Sequence, residues 1–113
     1  MDIDFANLQL QYQKYKTDID NNIQSVLNKS DYIMGEKIHE LEHKLENFTG
    51  AKHAITCSSG TDALLLAMMA IDIQPDDEII TTPFTFVSTA ETIALMKAKP
   101  VFVDIESDTF NID

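Results

Sequence analysis

The chain has 113 residues, of which 44% are hydrophobic and 24% charged, a balance typical of a globular domain or part of one. With 19 acidic residues against 8 basic ones, the formal net charge of −11 argues against nucleic acid or an anionic membrane surface as a partner. Cys57 is the single cysteine, which excludes an intrachain disulfide; with neither a signal-peptide pattern nor a membrane-length apolar run, we expect a cytoplasmic protein.

Two amphipathic helices are predicted in a helical lead-in that spans residues 1–50. Apolar residues at near-helical spacing from Leu8 to Leu27 predict the first helix, and the turn-forming segment NKSDYIMG, residues 28–35, interrupts it. The second helix is predicted over about 36–48, with Gly50 placed to cap its C-terminus. Its buried stripe is predicted to consist of Ile38, Leu41, Leu45 and Phe48.

Strand and helix patterns alternate over residues 51–113. HAITC predicts a strand, GTDALLLAMMAI a buried helix, PDDEIITTP a turn and strand, FTFVSTAETIALMKA another helix and KPVFVDI a last strand. This βαβαβ order predicts an α/β fold with a parallel sheet. Because three short strands barely make a sheet, we expect either a very small α/β domain or the opening piece of a larger one.

The segment HELEH, which contains His39, Glu40 and His43, fits the H-E-x-x-H pattern of zinc hydrolases. On a helical wheel, however, both histidines lie roughly opposite the apolar stripe. The only other histidine, His53, lies beyond the predicted helix end. We therefore favour a solvated helix face and keep a zinc hydrolase as an alternative.

The segment CSSGTDAL lies where a predicted strand turns into a helix, the position at which ligands bind in open α/β sheets. Gly60 lets a ligand approach the backbone, and the amides of Gly60, Thr61 and Asp62, with the Thr61 hydroxyl, could bind a phosphate. Ser59 and Asp62 also match a capping box, which satisfies the helix end and binds nothing. These residues alone leave a phosphate cradle and a self-satisfied cap equally open, and a small non-catalytic α/β binding module that uses the capped turn stays an alternative function.

Familiar nucleotide-binding motifs are missing, because neither G-x-x-x-x-G-K-[ST] nor G-x-G-x-x-G occurs in a chain with three glycines. ATP and NAD are therefore not supported. Phe84 and Phe86 follow the second predicted strand. An aromatic ring there could stack on a flat cofactor or could simply lie in the core.

Five segments in register, YIMG, SSGTDALLLA, PDDEIITTPFTFVSTAETI, AKPVFVDI and DTFNID, resemble the DegT/DnrJ/StrS family of pyridoxal-phosphate-dependent nucleotide-sugar aminotransferases. The match covers essentially the whole chain and looks closest to enzymes that aminate UDP-2-acetamido-2-deoxy-3-oxo-glucuronate for surface polysaccharides. The resemblance implies the N-terminal part of the large domain of a fold-type I aminotransferase. It also implies pyridoxal 5′-phosphate as cofactor, an amino donor such as glutamate, a keto-sugar nucleotide as acceptor and a homodimer.

Carried over residue by residue, the resemblance implies that Gly60, Thr61 and Asp62 cradle the cofactor phosphate and that Phe86 stacks on the pyridine ring. Ser59 matches a capping position beside the cradle. The loop 31–35 resembles one that borders the active site at the family's dimer interface.

The resemblance also implies three functional positions well downstream of the VFVDI segment, none of them among these 113 residues. They are the cofactor-binding lysine, the aspartate that pairs with the pyridine nitrogen and a further phosphate-binding serine. Lys97, Lys99 and Asp104 match none of these positions. We therefore expect the 113 residues alone to lack aminotransferase activity. We also expect them to expose apolar helix faces and strand edges.

Overall fold

The computed structural model describes residues 6–113, and the chain divides into two compact units, the first ending at Thr56 and the second starting at Cys57. The first unit contains helices α1 (Leu8–Lys29) and α2 (Glu36–Thr49). The second contains, in chain order, α3 (Gly60–Ala70), β1 (Glu78–Thr81), α4 (Ser88–Leu95) and β2 (Lys99–Phe102). None of the helices within residues 6–113 has the length and apolar character needed to cross a membrane.

The predicted first helix is confirmed as α1, which is held at both ends by local hydrogen bonds. Asn7 caps the start, where its Oδ1 accepts the N–H of Leu10 at 2.8 Å. At the other end Ser30 takes a left-handed conformation, with φ of 54°, and donates its N–H to the Leu27 carbonyl at 3.2 Å.

The start of α2 depends on the loop 31–35. The Asp31 carboxylate accepts the N–H of Glu36 at 2.8 Å, so an aspartate five residues before the first helical residue supplies the cap that Gly35 cannot. Gly35 is buried, and a Cβ there would lie 2.4 Å from the Asp31 carbonyl oxygen. The close approach of the two backbones therefore requires a glycine.

The end of α2 is capped as predicted, because Gly50 has φ of 73° and donates its N–H to Glu46 at 2.9 Å. The predicted buried stripe is wrong for this chain, since its last three members, Leu41, Leu45 and Phe48, are exposed. The segment after Gly50 contacts α2 through carboxylates instead, and no apolar group in the described residues covers the stripe.

The second unit is built on a parallel pair of strands, which confirms the predicted α/β arrangement. Glu78 pairs with Lys99, and the register runs without a break to Thr81 and Phe102. The connection contains α4, which packs on both strands, while α3 packs on α4. The small core contains Ile93 and Ala98, together with Thr92 and Ser88 from α4.

Three sequence expectations differ from the structure. The segment 53–57 forms no strand, because residues 6–113 supply it with no sheet partner. The third helix is not buried, since Leu64, Leu66 and Met69 are 39%, 48% and 56% exposed, and a two-stranded sheet is too small to cover it. The predicted helix over 84–98 is shorter, because the residues after Pro83 form a loop before α4 begins.

The last predicted strand also ends early, at Phe102. Beyond it the chain turns back on itself: Ile105 and Ile112 form an antiparallel bridge. Residues 104–113, called the terminal hairpin below, therefore form a separate small element after β2.

Candidate functional site

The turn before α3 is capped by a side chain of its own. Ser59 has an extended backbone, with φ of −159°, and its Oγ accepts the N–H of Asp62 at 3.1 Å. The Asp62 carboxylate accepts a hydrogen bond from the Ser58 hydroxyl instead of from the backbone of Ser59. The helix start is therefore capped as predicted, but the reciprocal half of the capping box is not formed.

This cap leaves two backbone donors at the start of α3 available. Within the part of the chain that the structure describes, the amides of Gly60 and Thr61 are bonded to no acceptor, whereas that of Asp62 is engaged by Ser59. Unpaired amides of a first helical turn point along the helix axis at the positive end of the dipole. They form an anion-binding arrangement, and whether Asp62 joins it stays a prediction.

Gly60 keeps the approach to these amides open. A Cβ at this position would meet no atom within 4 Å, so packing within the chain does not require a glycine. Two unpaired amides, the Thr61 hydroxyl and an open backbone together fit a phosphate monoester. The fit rests on backbone donors, which also explains how an acidic chain can bind an anion.

Phe86 lies in the loop 82–87, between β1 and the start of α4. Its side chain is 74% exposed, so it is not a core residue in this chain, and its carbonyl accepts the N–H of Thr89 at 3.2 Å. Phe84, in the same loop, stacks on Phe110 with ring centroids 5.5 Å apart. The exposed Phe86 ring is thus free of the described core and available for a ligand, as a stacking role requires.

An apolar hollow of about 200 Å³ lies between α3, β1 and α4. Its walls are aliphatic, with threonine side chains at one end, and contain no charged group to bind a phosphate. Its lining includes Leu64, Met68, Ile71, Ile79, Ile80 and Ile93. We interpret this hollow as core surface that the two-stranded sheet leaves uncovered, distinct from the phosphate-binding arrangement at Gly60.

The HELEH segment has the wrong electrostatics for a zinc hydrolase. Glu40, the candidate general base, is paired with Lys37 at 2.7 Å and with Lys44 at 2.6 Å, and these two ammonium groups lower the pKa of Glu40 to about 2. A general base works best with a pKa near the operating pH. The side chains of His39 and His43 are 55% and 76% exposed, on the solvent side as the helical wheel predicts.

No three His, Cys, Asp or Glu side chains among residues 6–113 are grouped so that they could hold a metal ion. The two histidines of the HELEH segment instead place Nδ1 beside a glutamate one helical turn along: His39 beside Glu42 at 3.3 Å and His43 beside Glu46 at 3.0 Å. The residues present therefore do not fit a catalytic zinc.

Those two glutamates perform a role that sequence reasoning missed. Glu42 accepts both the N–H and the hydroxyl of Thr56 at 2.9 Å, and Glu46 accepts the N–H of Ala54 at 3.2 Å. We call Glu42 and Glu46 the carboxylate clamp. Because the two bonded amides, of Ala54 and Thr56, lie two residues apart, the clamp holds one edge of the segment 53–57. The only sequence signal for it is the spacing of Glu42 and Glu46, one helical turn apart along α2.

Hydrogen bonding explains the electrostatics of the carboxylate clamp. The backbone and hydroxyl of Thr56, followed by His39, lower the pKa of Glu42. His43, followed by the Ala54 amide, lowers the pKa of Glu46. Both carboxylates are therefore held in the charged form, which accepts hydrogen bonds best.

Comparison with known proteins gives a consistent result. The sequence model of the DegT/DnrJ/EryC1/StrS aminotransferase family matches residues 13–113. The chain is 50% identical over 111 residues to the UDP-2-acetamido-2-deoxy-3-oxo-D-glucuronate aminotransferase of Pseudomonas aeruginosa, a match that covers 98% of the chain and 31% of that protein.

Solved structures agree with the sequence comparison. A DegT DnrJ EryC1 StrS aminotransferase from Brucella abortus superposes with a TM-score of 0.94 at 36% identity, covering 99% of this chain and 30% of that one. NtdA from Bacillus subtilis, solved with bound cofactor PMP, gives a TM-score of 0.84 at 30% identity and covers 88% and 23%. The chain thus spans about a third of the length of the Pseudomonas aeruginosa and Brucella abortus relatives.

Proposed function

The chain belongs to the DegT/DnrJ/EryC1/StrS aminotransferase family, and from that premise we propose that it forms the phosphate-binding and ring-stacking part of a pyridoxal-phosphate-dependent nucleotide-sugar aminotransferase. The observation that supports the cofactor assignment best is the pair of unbonded amides at Gly60 and Thr61, open to a phosphate because residue 60 has no Cβ. The bound cofactor PMP in the structure of NtdA adds support from within the family.

In this proposal the chain's residues bind and orient, while the cofactor supplies the electron-withdrawing ring that lets an amino group pass between donor and acceptor. The amides of Gly60 and Thr61, with the Thr61 hydroxyl, bind the phosphate and fix one end of the cofactor. The ring of Phe86 covers one face of the pyridine and keeps water from it. Ser59 keeps the turn in shape through its bond to Asp62.

The substrate proposal follows the relatives. The Pseudomonas aeruginosa enzyme is named for a UDP-linked 3-oxo sugar, so we assign a keto-sugar nucleotide as acceptor, with glutamate as donor, in surface polysaccharide biosynthesis. The complete enzyme is proposed to be a cytoplasmic homodimer, and the exposed thiol of Cys57 suits a reducing compartment. The 113 residues alone are proposed to be inactive, and amine transfer by them to a UDP-3-oxo sugar would contradict that part.

Gly60→Val tests the cradle, because it adds a branched side chain beside the open amides at a position where a Cβ meets no atom within 4 Å. We expect the ³¹P resonance of pyridoxamine 5′-phosphate to shift on titration with the unsubstituted chain and the apparent affinity to fall by at least about tenfold in the variant, as loss of the charge-assisted bonds to the phosphate predicts.

Thr61→Val removes only the hydroxyl and is expected to weaken binding by less than Gly60→Val. Thr17→Val, on the exposed surface of α1, is the matched control and should leave the titration unchanged. Equal affinities of the Gly60→Val variant and the unsubstituted chain would contradict the cradle. An unshifted ³¹P resonance with the unsubstituted chain would contradict cofactor binding by it.

A further inference from the structure

The terminal hairpin, residues 104–113, is held together by backbone hydrogen bonds of its own and has no role in the proposed function. In addition to the bridge between Ile105 and Ile112, Glu106 donates its N–H to the Asn111 carbonyl at 2.9 Å. The N–H of Phe110 bonds back to the Glu106 carbonyl at 3.0 Å. These hydrogen bonds therefore fix the backbone on which Phe110 lies.

Phe110 is held in an unusual backbone conformation. Its φ of 58° lies in the left-handed region, which is costly for a bulky side chain and persists only where the surrounding structure maintains it. In this conformation its ring stacks on that of Phe84, with 5.5 Å between centroids and 29° between ring planes. Both distance and angle are those of a favourable offset stack.

The partner ring belongs to the loop that carries Phe86. The hydrogen bonds of this loop are local: Phe86 and Val87 accept N–H groups from the first turn of α4, and the hydroxyls of Thr85 and Thr89 lie 3.3 Å apart. The stack with Phe110 joins this loop to a segment beyond β2. The stacked residue of the loop, Phe84, lies two positions before Phe86.

We propose that Phe110 is a positioning residue for the cofactor ring. By stacking on Phe84 it fixes the loop 82–87 and so holds Phe86 where its ring covers the pyridine. The inference rests on the proposed role of Phe86, while its first test is independent of any ligand.

The first test is amide hydrogen exchange of the unliganded chain in four forms: unsubstituted, Phe110→Gly, Phe110→Ala and Phe110→Tyr. Alanine removes the ring and keeps the Cβ, whereas glycine removes the whole side chain and suits the left-handed backbone, so the glycine variant keeps the hairpin without strain at residue 110. We expect the amides of Thr89, Ala90 and Glu91, which donate to the carbonyls of Phe86 and Val87, to exchange about tenfold faster in the glycine and alanine variants, because the loop opens locally, and to recover in the tyrosine variant.

Phe48→Ala is the matched control, since it removes an equally large ring that is 89% exposed on α2. It should leave exchange of the loop unchanged. Unchanged exchange of the Thr89, Ala90 and Glu91 amides in Phe110→Gly, or exchange in Phe110→Tyr as fast as in Phe110→Gly, would overturn the proposal.

The second test separates the two ends of the ligand in a titration with pyridoxamine 5′-phosphate. With Phe110→Gly we expect the ring-current shift of the pyridine proton to be largely lost while the ³¹P shift is retained. Gly60→Val should instead reduce the ³¹P shift. In Phe110→Gly, a pyridine-proton shift equal to that of the unsubstituted chain would overturn the role of Phe110. Absence of both shifts in the unsubstituted chain would contradict the proposed function. In that case the exchange comparison would still decide whether Phe110 fixes the loop.

Discussion

At the scale of single residues, the turn at the start of α3 divides its backbone donors between folding and binding. Ser59 takes the amide of Asp62 for the cap, and the amides of Gly60 and Thr61 stay open. A self-satisfied cap and an anion cradle are alternatives in the sequence, yet they use different amides of the same turn. One helix end can therefore serve both purposes.

Gly50 and Gly60 offer a matched pair for testing why each is a glycine. A Cβ would meet no atom within 4 Å at either position, but only Gly50 has a positive φ, of 73°. We expect Gly50→Ala to lower the free energy of unfolding by about 1 kcal/mol, because an L-residue is strained in the left-handed region.

Gly60→Ala, in the regular helix, should leave stability unchanged or raise it by up to ~1 kcal/mol through higher helix propensity. Urea unfolding followed by circular dichroism compares the two variants. An equal loss of stability in both would show that backbone conformation is not what distinguishes the two glycines.

At the scale of elements, the carboxylate clamp does for the segment 53–57 what a neighbouring strand does inside a sheet. The donors of Ala54 and Thr56 are satisfied by side chains of α2, so the segment stays ordered without a sheet partner. The clamp depends on ionised carboxylates, and this makes the element sensitive to pH.

Because the folded-state pKa of Glu42 lies below its ordinary value of 4.5, the contribution of Glu42 to stability is complete above that value and is lost as the pH falls through the lowered pKa. We expect the protection of the Ala54 and Thr56 amides from exchange to fall below pH 4.5.

Glu42→Gln should remove most of the protection of the Thr56 amide, and its pH dependence, already at pH 7. Glu40→Gln is the control on the same helix, since Glu40 pairs with lysines and does not touch the segment 53–57. Protection that is constant from pH 7 to below the lowered pKa would argue against the clamp.

What the sequence could predict at this scale follows from how local each cause is. Caps act within a few residues, so the end of α2 at Gly50 and the start of α3 at Ser59 could be recognised from composition and spacing. The segment 53–57 has the composition of a strand, but forming one needs a partner that the described chain does not supply. The contact between Glu42 and Thr56 depends on how the chain folds back after Gly50, which no periodicity encodes.

The candidate site divides in the same way. The backbone amides of Gly60 and Thr61 could be predicted because a helix start leaves them unpaired in any sequence. The stack of Phe84 on Phe110 could not, since it joins segments whose meeting depends on the parallel sheet and on a hairpin that holds Phe110 in a left-handed conformation.

At the scale of the whole molecule, large apolar side chains remain at the surface of both units. Phe48 is 89% exposed in the first unit, and in the second Ile80 is 60% and Leu66 48% exposed. Such a surface favours association, which the net charge of −11 opposes. Salt screens the charge and leaves the apolar contacts in place.

We therefore expect the 113-residue chain to self-associate, and more strongly at 0.5 M than at 0.05 M sodium chloride (about 4 Å against about 14 Å of Debye length). Sedimentation velocity measures the effect. Ile80→Glu, which puts a charge on a residue that lines the apolar hollow, should reduce association, whereas Thr17→Glu adds the same charge on α1 in the first unit. A monodisperse monomer at both salt concentrations would contradict this expectation.

The parallel register of β1 and β2 has a consequence for how the chain acquires its structure in time. Every ladder pair, from Glu78 with Lys99 to Thr81 with Phe102, joins residues separated by the same stretch of chain, and that stretch contains all of α4. No pair of the ladder is more local than the others, so the first pair to form must close the whole crossover. In a hairpin, by contrast, pairing can start next to the turn. The helices can form on the microsecond timescale of local contacts, while the sheet forms only when the whole crossover has closed, so the turn at the start of α3 can be present before the two strands pair.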